Sequence, residues 1–159
     1  MKKLGDTPHS IDILAYALMS NHFHLLVRQR QENAITQTLA NISNSYAKYF
    51  NIKHHRVGPL YQGPFKAVHV ETDQQLIHLS RYIHINPVVV GVMTQEELLS
   101  SPRTSFPEYL GQSETLFTDV KPILSHFVSP ESYKIFVFDQ VAYGKELEKI
   151  KHLSLEEKV

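Results

Sequence analysis

The chain contains no cysteine, which removes disulfides, thiolate metal ligands and cysteine nucleophiles together. Any nucleophile must then be Ser, Thr, Tyr, Lys, a carboxylate or water. No apolar run approaches the roughly 18 residues that a membrane-spanning helix needs. No apolar core follows Met1-Lys2-Lys3-Leu4-Gly5-Asp6 either, so neither a membrane span nor a signal peptide is expected and a cytoplasmic location is the default. Acidic residues are absent between Glu32 and Glu71, an interval that holds Lys48, Lys53, Arg56 and Lys66 with His54, His55 and His69. The net charge of zero hides this gap: residues 1–92 carry nine Lys/Arg against five Asp/Glu, and residues 93–159 carry seven against eleven. A local cationic field of this kind suits a phosphate-bearing partner, and equally a solvated basic loop.

The 159 residues, 42% of them apolar and 20% charged, are enough for one globular domain with a core of its own. Ile11 to Met19, rich in apolar residues with β-branched and aromatic members, fits a strand. Ser20-Asn21 is a polar break and His22 to Arg28 a second strand, so the pair reads as an antiparallel hairpin. The period of two along a strand puts His22 and His24 on one face and Phe23 and Leu25 on the other. Two neighbouring imidazoles on a rigid strand can hold one metal ion; taken alone, they are as readily surface or hydrogen-bonded side chains.

Asn33 to Phe50 spaces Ile35, Leu39, Ile42, Tyr46, Tyr49 and Phe50 as a helix does, and a helix packing on the sheet is expected. Asn51 to Pro64 reads as a loop with Tyr61, and Phe65 just beyond, exposed. Aromatics beside cations are what single-stranded nucleic acid uses for stacking and phosphate contact, although such rings also tuck into cores. Phe65 to Val70 fits a third strand. Thr72-Asp73-Gln74-Gln75 has the form of a capping box, and the helix behind it carries Leu76, Leu79 and Ile83 on its core stripe. Tyr82 and Asn86, four apart, share a face at the edge of that stripe. Pro87 predicts a helix end near Asn86. Beyond Val88 the chain turns loop-like and acidic, with short helices expected near Phe117 to Phe127 and from Pro130 to Ile150, then a charged tail from Lys151 to Val159.

Singly, Tyr82 is a core tyrosine with its hydroxyl at the rim and Asn86 a helix C-terminal residue. Together with the histidines they offer more. In a chain without cysteine, a tyrosine that attacks phosphorus needs a metal to gather the phosphate and offset charge. A histidine pair, a helix bearing Tyr82 and a side-chain oxygen one turn further on are that set of parts.

The segment Ala17-Leu18-Met19-Ser20-Asn21-His22-Phe23-His24 resembles the His-hydrophobic-His motif of the IS200-like transposases, single-domain members of the HUH endonuclease superfamily. Ser80-Arg81-Tyr82-Ile83-His84-Ile85-Asn86-Pro87-Val88 is similar to the catalytic-helix signature of their REP-associated tyrosine transposase branch. Gly58 to Lys66 is similar to the family's linking segment, and Thr104-Ser105-Phe106 with Tyr109 and Gly111 to its downstream segment. The resemblance covers about residues 11–112. It implies an α+β, ferredoxin-like HUH fold over residues 1–112, with residues 113–159 an acidic helical extension. Relatives carry a further strand and helix before the hairpin, so the sheet is expected to lack a strand beside the histidines and to expose that edge.

By the same resemblance His22 and His24 would hold Mg²⁺ or Mn²⁺ with Asn86 as an oxygen ligand. Tyr82 would attack single-stranded DNA near a hairpin, leaving a 5′-phosphotyrosyl link. Arg28, Lys48, Lys53, Arg56, Tyr61, Lys66 and Arg81 would bind the DNA. Relatives include dimers that share the site between subunits, so a homodimer is an open expectation. Ser20 stands where relatives commonly have proline, and Pro64 and Val89 where arginine is frequent, which lowers the expected grip on DNA. Two other readings stay open: an inactive remnant that binds hairpin nucleic acid, and a water-using metal phosphodiesterase in which Tyr82 is structural.

Overall fold

The computed structural model describes residues 10–113 and 117–145. The chain divides into two compact units, one made of Arg28–Val70 with the residues up to Asp12, the other of Ile13–Val27 and the chain from Glu71 onward. The architecture is α+β, a two-stranded antiparallel sheet with helices.

Strand β1 (Ile11–Leu18) and strand β2 (Phe23–Gln29) form the expected hairpin. Its turn is closed by the Met19 N–H donating to the His22 carbonyl at 2.9 Å. Leu14 and Ala15 are adjacent and both buried, so β1 is covered on both faces. Its second edge is also used: Leu18 N–H donates to the Arg103 carbonyl, Ser105 N–H to Tyr16 and Asp119 N–H to Ile13. Among the described residues β2 has no strand neighbour on its other side, in line with the exposed edge expected there.

In the first unit, helix α1 (Ala34–Lys53) stands in its expected place. Ala34 and Leu39 are buried, Ile35 and Phe50 half-buried, and Ile42, Tyr46 and Tyr49 of the same stripe 46, 49 and 55% exposed. The third strand expected over Phe65 to Val70 does not form: these residues carry no strand hydrogen bonding and Val68 is 85% exposed. Alternation is only half of what makes a strand, and without a partner ladder the backbone groups stay with solvent.

The second unit is organised by helix α2 (Asp73–Val89). The Thr72 hydroxyl accepts from Gln75 N–H at 3.2 Å, the N-cap expected. The Gln75 amide reaches one residue further back than a capping box requires and accepts from Glu71 N–H at 2.9 Å. The helix does not stop at Asn86 but runs through Pro87 to Val89. Ile83 to Val88 are all buried, and that packing outweighs the preference Pro87 imposes on its predecessor. The stop lies at Gly91, whose φ of +77° lets Val92 N–H donate back to the Pro87 carbonyl at 2.8 Å and Gly91 N–H to Val88 at 3.2 Å. This is a Schellman motif, and glycine is the residue that adopts its left-handed position at least cost.

Short helices α3 (Gln95–Leu98), α4 (Phe106–Tyr109) and α5 (Lys121–Leu124) follow, then α6 (Pro130–Phe138), with residues 141–145 again helical. The first helix expected after residue 117 is thus shorter than anticipated and the second is interrupted after Phe138; the lead-in before Ser10, the end of the second helix and the tail lie outside the described residues. α5 and α6 pack on α2. Phe106, Tyr109, Ile123, Tyr133 and Val137 are fully buried, and the rings of Tyr109 and Tyr133 stack at 4.8 Å. No helix among the described residues is long and apolar enough to cross a membrane.

Candidate active site

His22 ends the hairpin turn and His24 is the second residue of β2, so strand alternation turns both rings to one side. Their Nε2 atoms lie 3.2 Å apart. Two donors bound to one ion at about 2.1 Å would sit about 3.0 Å apart at a right angle and about 3.4 Å apart at a tetrahedral one. The observed separation falls between. The Nδ1 of His22 is 2.7 Å from the Asn21 Oδ1. An amide oxygen only accepts, so Nδ1 carries the hydrogen and Nε2 keeps its lone pair. A carbonyl behind an imidazole is the usual device for orienting a metal ligand. Burial, and then the neighbouring His22, hold the His24 pKa below the ordinary histidine value, which keeps its ring neutral and able to donate a lone pair.

Tyr82, half-exposed on α2, places its ring 5.7 Å from that of His24, edge to face at 80°. One helical turn further on, Asn86 is only 8% exposed. No group of three His, Cys, Asp or Glu suited to a metal occurs among the described residues. Ligands beyond the two imidazoles would therefore be an amide oxygen, water or the substrate's own oxygens.

The other predicted residues are dispersed. Lys48, Lys53, Arg56, Tyr61 and Lys66 are exposed in the first unit. Lys53 Nζ donates to the Tyr49 hydroxyl at 3.1 Å, and the Arg56 guanidinium lies 5.8 Å from the centre of the Phe50 ring. Arg28 is engaged by the Asp12 carboxylate, through Nη2 at 2.7 Å and Nε at 2.9 Å, with Arg30 on the other carboxylate oxygen at 2.8 Å. Arg81 stacks 4.1 Å over Phe136 and its Nη2 is 2.7 Å from His78 Nδ1.

Sequence reasoning passed over two residues. By sequence Asn21 is only a turn residue, although its place next to His22 is the signal. His84 lies inside the quoted helix segment, yet it faces inward and is fully buried. Its ring contacts Phe106, Tyr109 and Tyr133, and burial drives its pKa from 6.5 to about 3.

The family model described as "Transposase IS200 like" matches residues 6–86, half of the chain. No curated protein matches, and no solved structure does.

Proposed function

We propose, from the premise that this chain belongs to the IS200-like transposase family, that it nicks and rejoins single-stranded DNA beside hairpins through a covalent bond to Tyr82. The observation that carries this reading is the Tyr82 ring 5.7 Å from His24, whose Nε2 in turn faces that of His22. The Tyr82 oxygen attacks the scissile phosphorus, the bond from phosphorus to the 3′ oxygen breaks, and the proton lost by the phenol is balanced by the one gained by the departing 3′-hydroxyl. The product is a 5′-phosphotyrosyl link, and attack by a 3′-hydroxyl on that link runs the step backwards and joins strands.

His22 and His24, with the amide oxygen of Asn86, would hold Mg²⁺ or Mn²⁺; two nitrogen ligands favour Mn²⁺ of the two. Such an ion supplies charge neutralisation on the non-bridging phosphate oxygens. Exposed Lys48, Lys53, Arg56, Tyr61 and Lys66 supply phosphate contacts and a stacking ring for the strand. The run from Ser80 to Val88 favours the REP-associated branch of the family.

Incubation with Mn²⁺ and hairpin-bearing single-stranded DNA should yield a protein–DNA adduct that survives denaturation, and Tyr82→Phe should abolish it. Nicking without an adduct would instead make water the nucleophile. DNA binding with neither would make the chain an inactive binder.

A further inference from the structure

Four fully buried polar side chains, Ser80, His84, Ser105 and Tyr133, form one continuous chain of hydrogen bonds, and its directions can be assigned from one end. The Ser80 hydroxyl donates to the Ile77 carbonyl at 2.8 Å, so its proton is spent and it must accept from the Tyr133 hydroxyl at 3.0 Å. The only proton of Tyr133 is then spent as well. At 2.8 Å from that hydroxyl, His84 Nδ1 must be the donor. On a neutral ring Nε2 is then an acceptor, and it takes the Ser105 hydroxyl proton at 2.7 Å. Ser105 Oγ in turn accepts from the Tyr16 N–H of β1 at 2.9 Å, while Ser105 N–H donates to the Tyr16 carbonyl at 3.0 Å. One tautomer of one residue thus links α2, α6, the start of α4 and the central part of β1 with every group used.

We propose that His84 is a positioning residue: its two-sided hydrogen bonding sets the rotation and register of α2 against β1, and so presents Tyr82 to the histidine pair at the far end of the hairpin. The catalytic part of this claim rests on the reading of Tyr82 as nucleophile. Residues two apart on a helix lie about 200° apart around its axis, so the side that holds His84 inward turns Tyr82 outward. A rotation of about 20° would sweep a side-chain tip, about 6 Å from the axis, through about 2 Å. A displacement of even 1 Å can cost about a hundredfold in rate. To the packing of Phe106, Tyr109 and Tyr133 the chain of directed hydrogen bonds adds a constraint on orientation.

The test uses the full chain, isotopically labelled. Long-range proton–nitrogen correlation should show His84 protonated at Nδ1 with Nε2 as the bare nitrogen; the reverse overturns the assignment and the proposal with it. Two variants follow, His84→Gln and the milder Tyr133→Phe, which removes only the hydroxyl. In each that folds, the Overhauser effect between the Tyr82 and His24 rings, read without DNA or metal, should weaken. Adduct formation with Mn²⁺ and hairpin DNA should slow about tenfold to a hundredfold, at unchanged DNA affinity. An unchanged ring contact and rate in a folded variant overturns the proposal, as does a parallel loss of DNA affinity. Unfolding of both variants overturns it too, leaving the network as fold stabilisation alone. A wild-type protein with the ring contact and the tautomer but no adduct sinks the nuclease reading and leaves the placement of Tyr82 by His84 standing.

Discussion

Acidification is expected to unfold the second unit by way of a single ring. Burial moves His84 from 6.5 to about 3, and none of the side chains against it, Ser80, Ser105, Phe106, Tyr109 or Tyr133, carries a charge that would compensate an imidazolium. The unfolded chain therefore takes up a proton that the folded chain refuses. Because the folded value is the lower one, the stabilisation is fully present above about pH 6.5 and is lost as pH falls toward about 3. Each pH unit in that window costs about 1.4 kcal/mol. About 2 kcal/mol is gone by pH 5 and about 4 kcal/mol by pH 3, close to the scale of a whole domain's stability. Urea titrations at about pH 7.5, 6 and 5, followed by far-ultraviolet circular dichroism, read this directly. His24 shifts in the same direction, so the control is His84→Gln, which lacks the group in question. Between about pH 6.5 and 5 its stability should fall less steeply than wild type by about 1 kcal/mol per unit. Parallel slopes for the two proteins would refute the reasoning.

Asn21→Ala removes the acceptor that holds the His22 tautomer; calorimetric titration with Mn²⁺ should show affinity reduced about tenfold, and an unchanged affinity would deny Asn21 that role. Glu108→Ala deletes a buried oxygen that accepts from Phe117 N–H, Thr118 N–H and the Thr118 hydroxyl at 2.9, 2.9 and 2.6 Å. Three stranded donors should cost about 3–5 kcal/mol, seen as a lower urea midpoint. Gly144→Ala gains about 1 kcal/mol of helix propensity, but its Cβ would sit 2.7 Å from Val89 Cγ2, an overlap costing about 1–3 kcal/mol. Net destabilisation is expected, and Val89→Ala in the same chain should relieve it.

Local periodicity carried much of the fold. The apolar spacing from Ile35 marks α1 to within a few residues, the apolar runs on either side of Ser20-Asn21 mark both strands, and the His22–His24 pairing follows from β2 having a period of two. What failed was what depends on distant partners. Nothing near Phe65 to Val70 says that no ladder will receive them, and nothing in the stripe of Ile42, Tyr46 and Tyr49 says that it will stay exposed. Pro87 was read as a stop because the rule is local, whereas burial of Ile83 to Val88 and the left-handed Gly91 decide where α2 ends. The site divides the same way. Tyr82 and Asn86 are legible as one helix face, but His84 acquires its meaning from Ser105, 21 residues away, and Tyr133, 49 residues away, contacts that spacing cannot reveal.

On α2, Tyr82 looks outward and His84 looks inward, two residues apart. Chemistry and architecture can therefore be lost separately. If Tyr82 is the nucleophile, a copy in which it had drifted to phenylalanine would still accumulate as an intact protein, a competitor rather than a casualty. A copy that lost His84 would fail in a different way, holding its strand while presenting Tyr82 out of line.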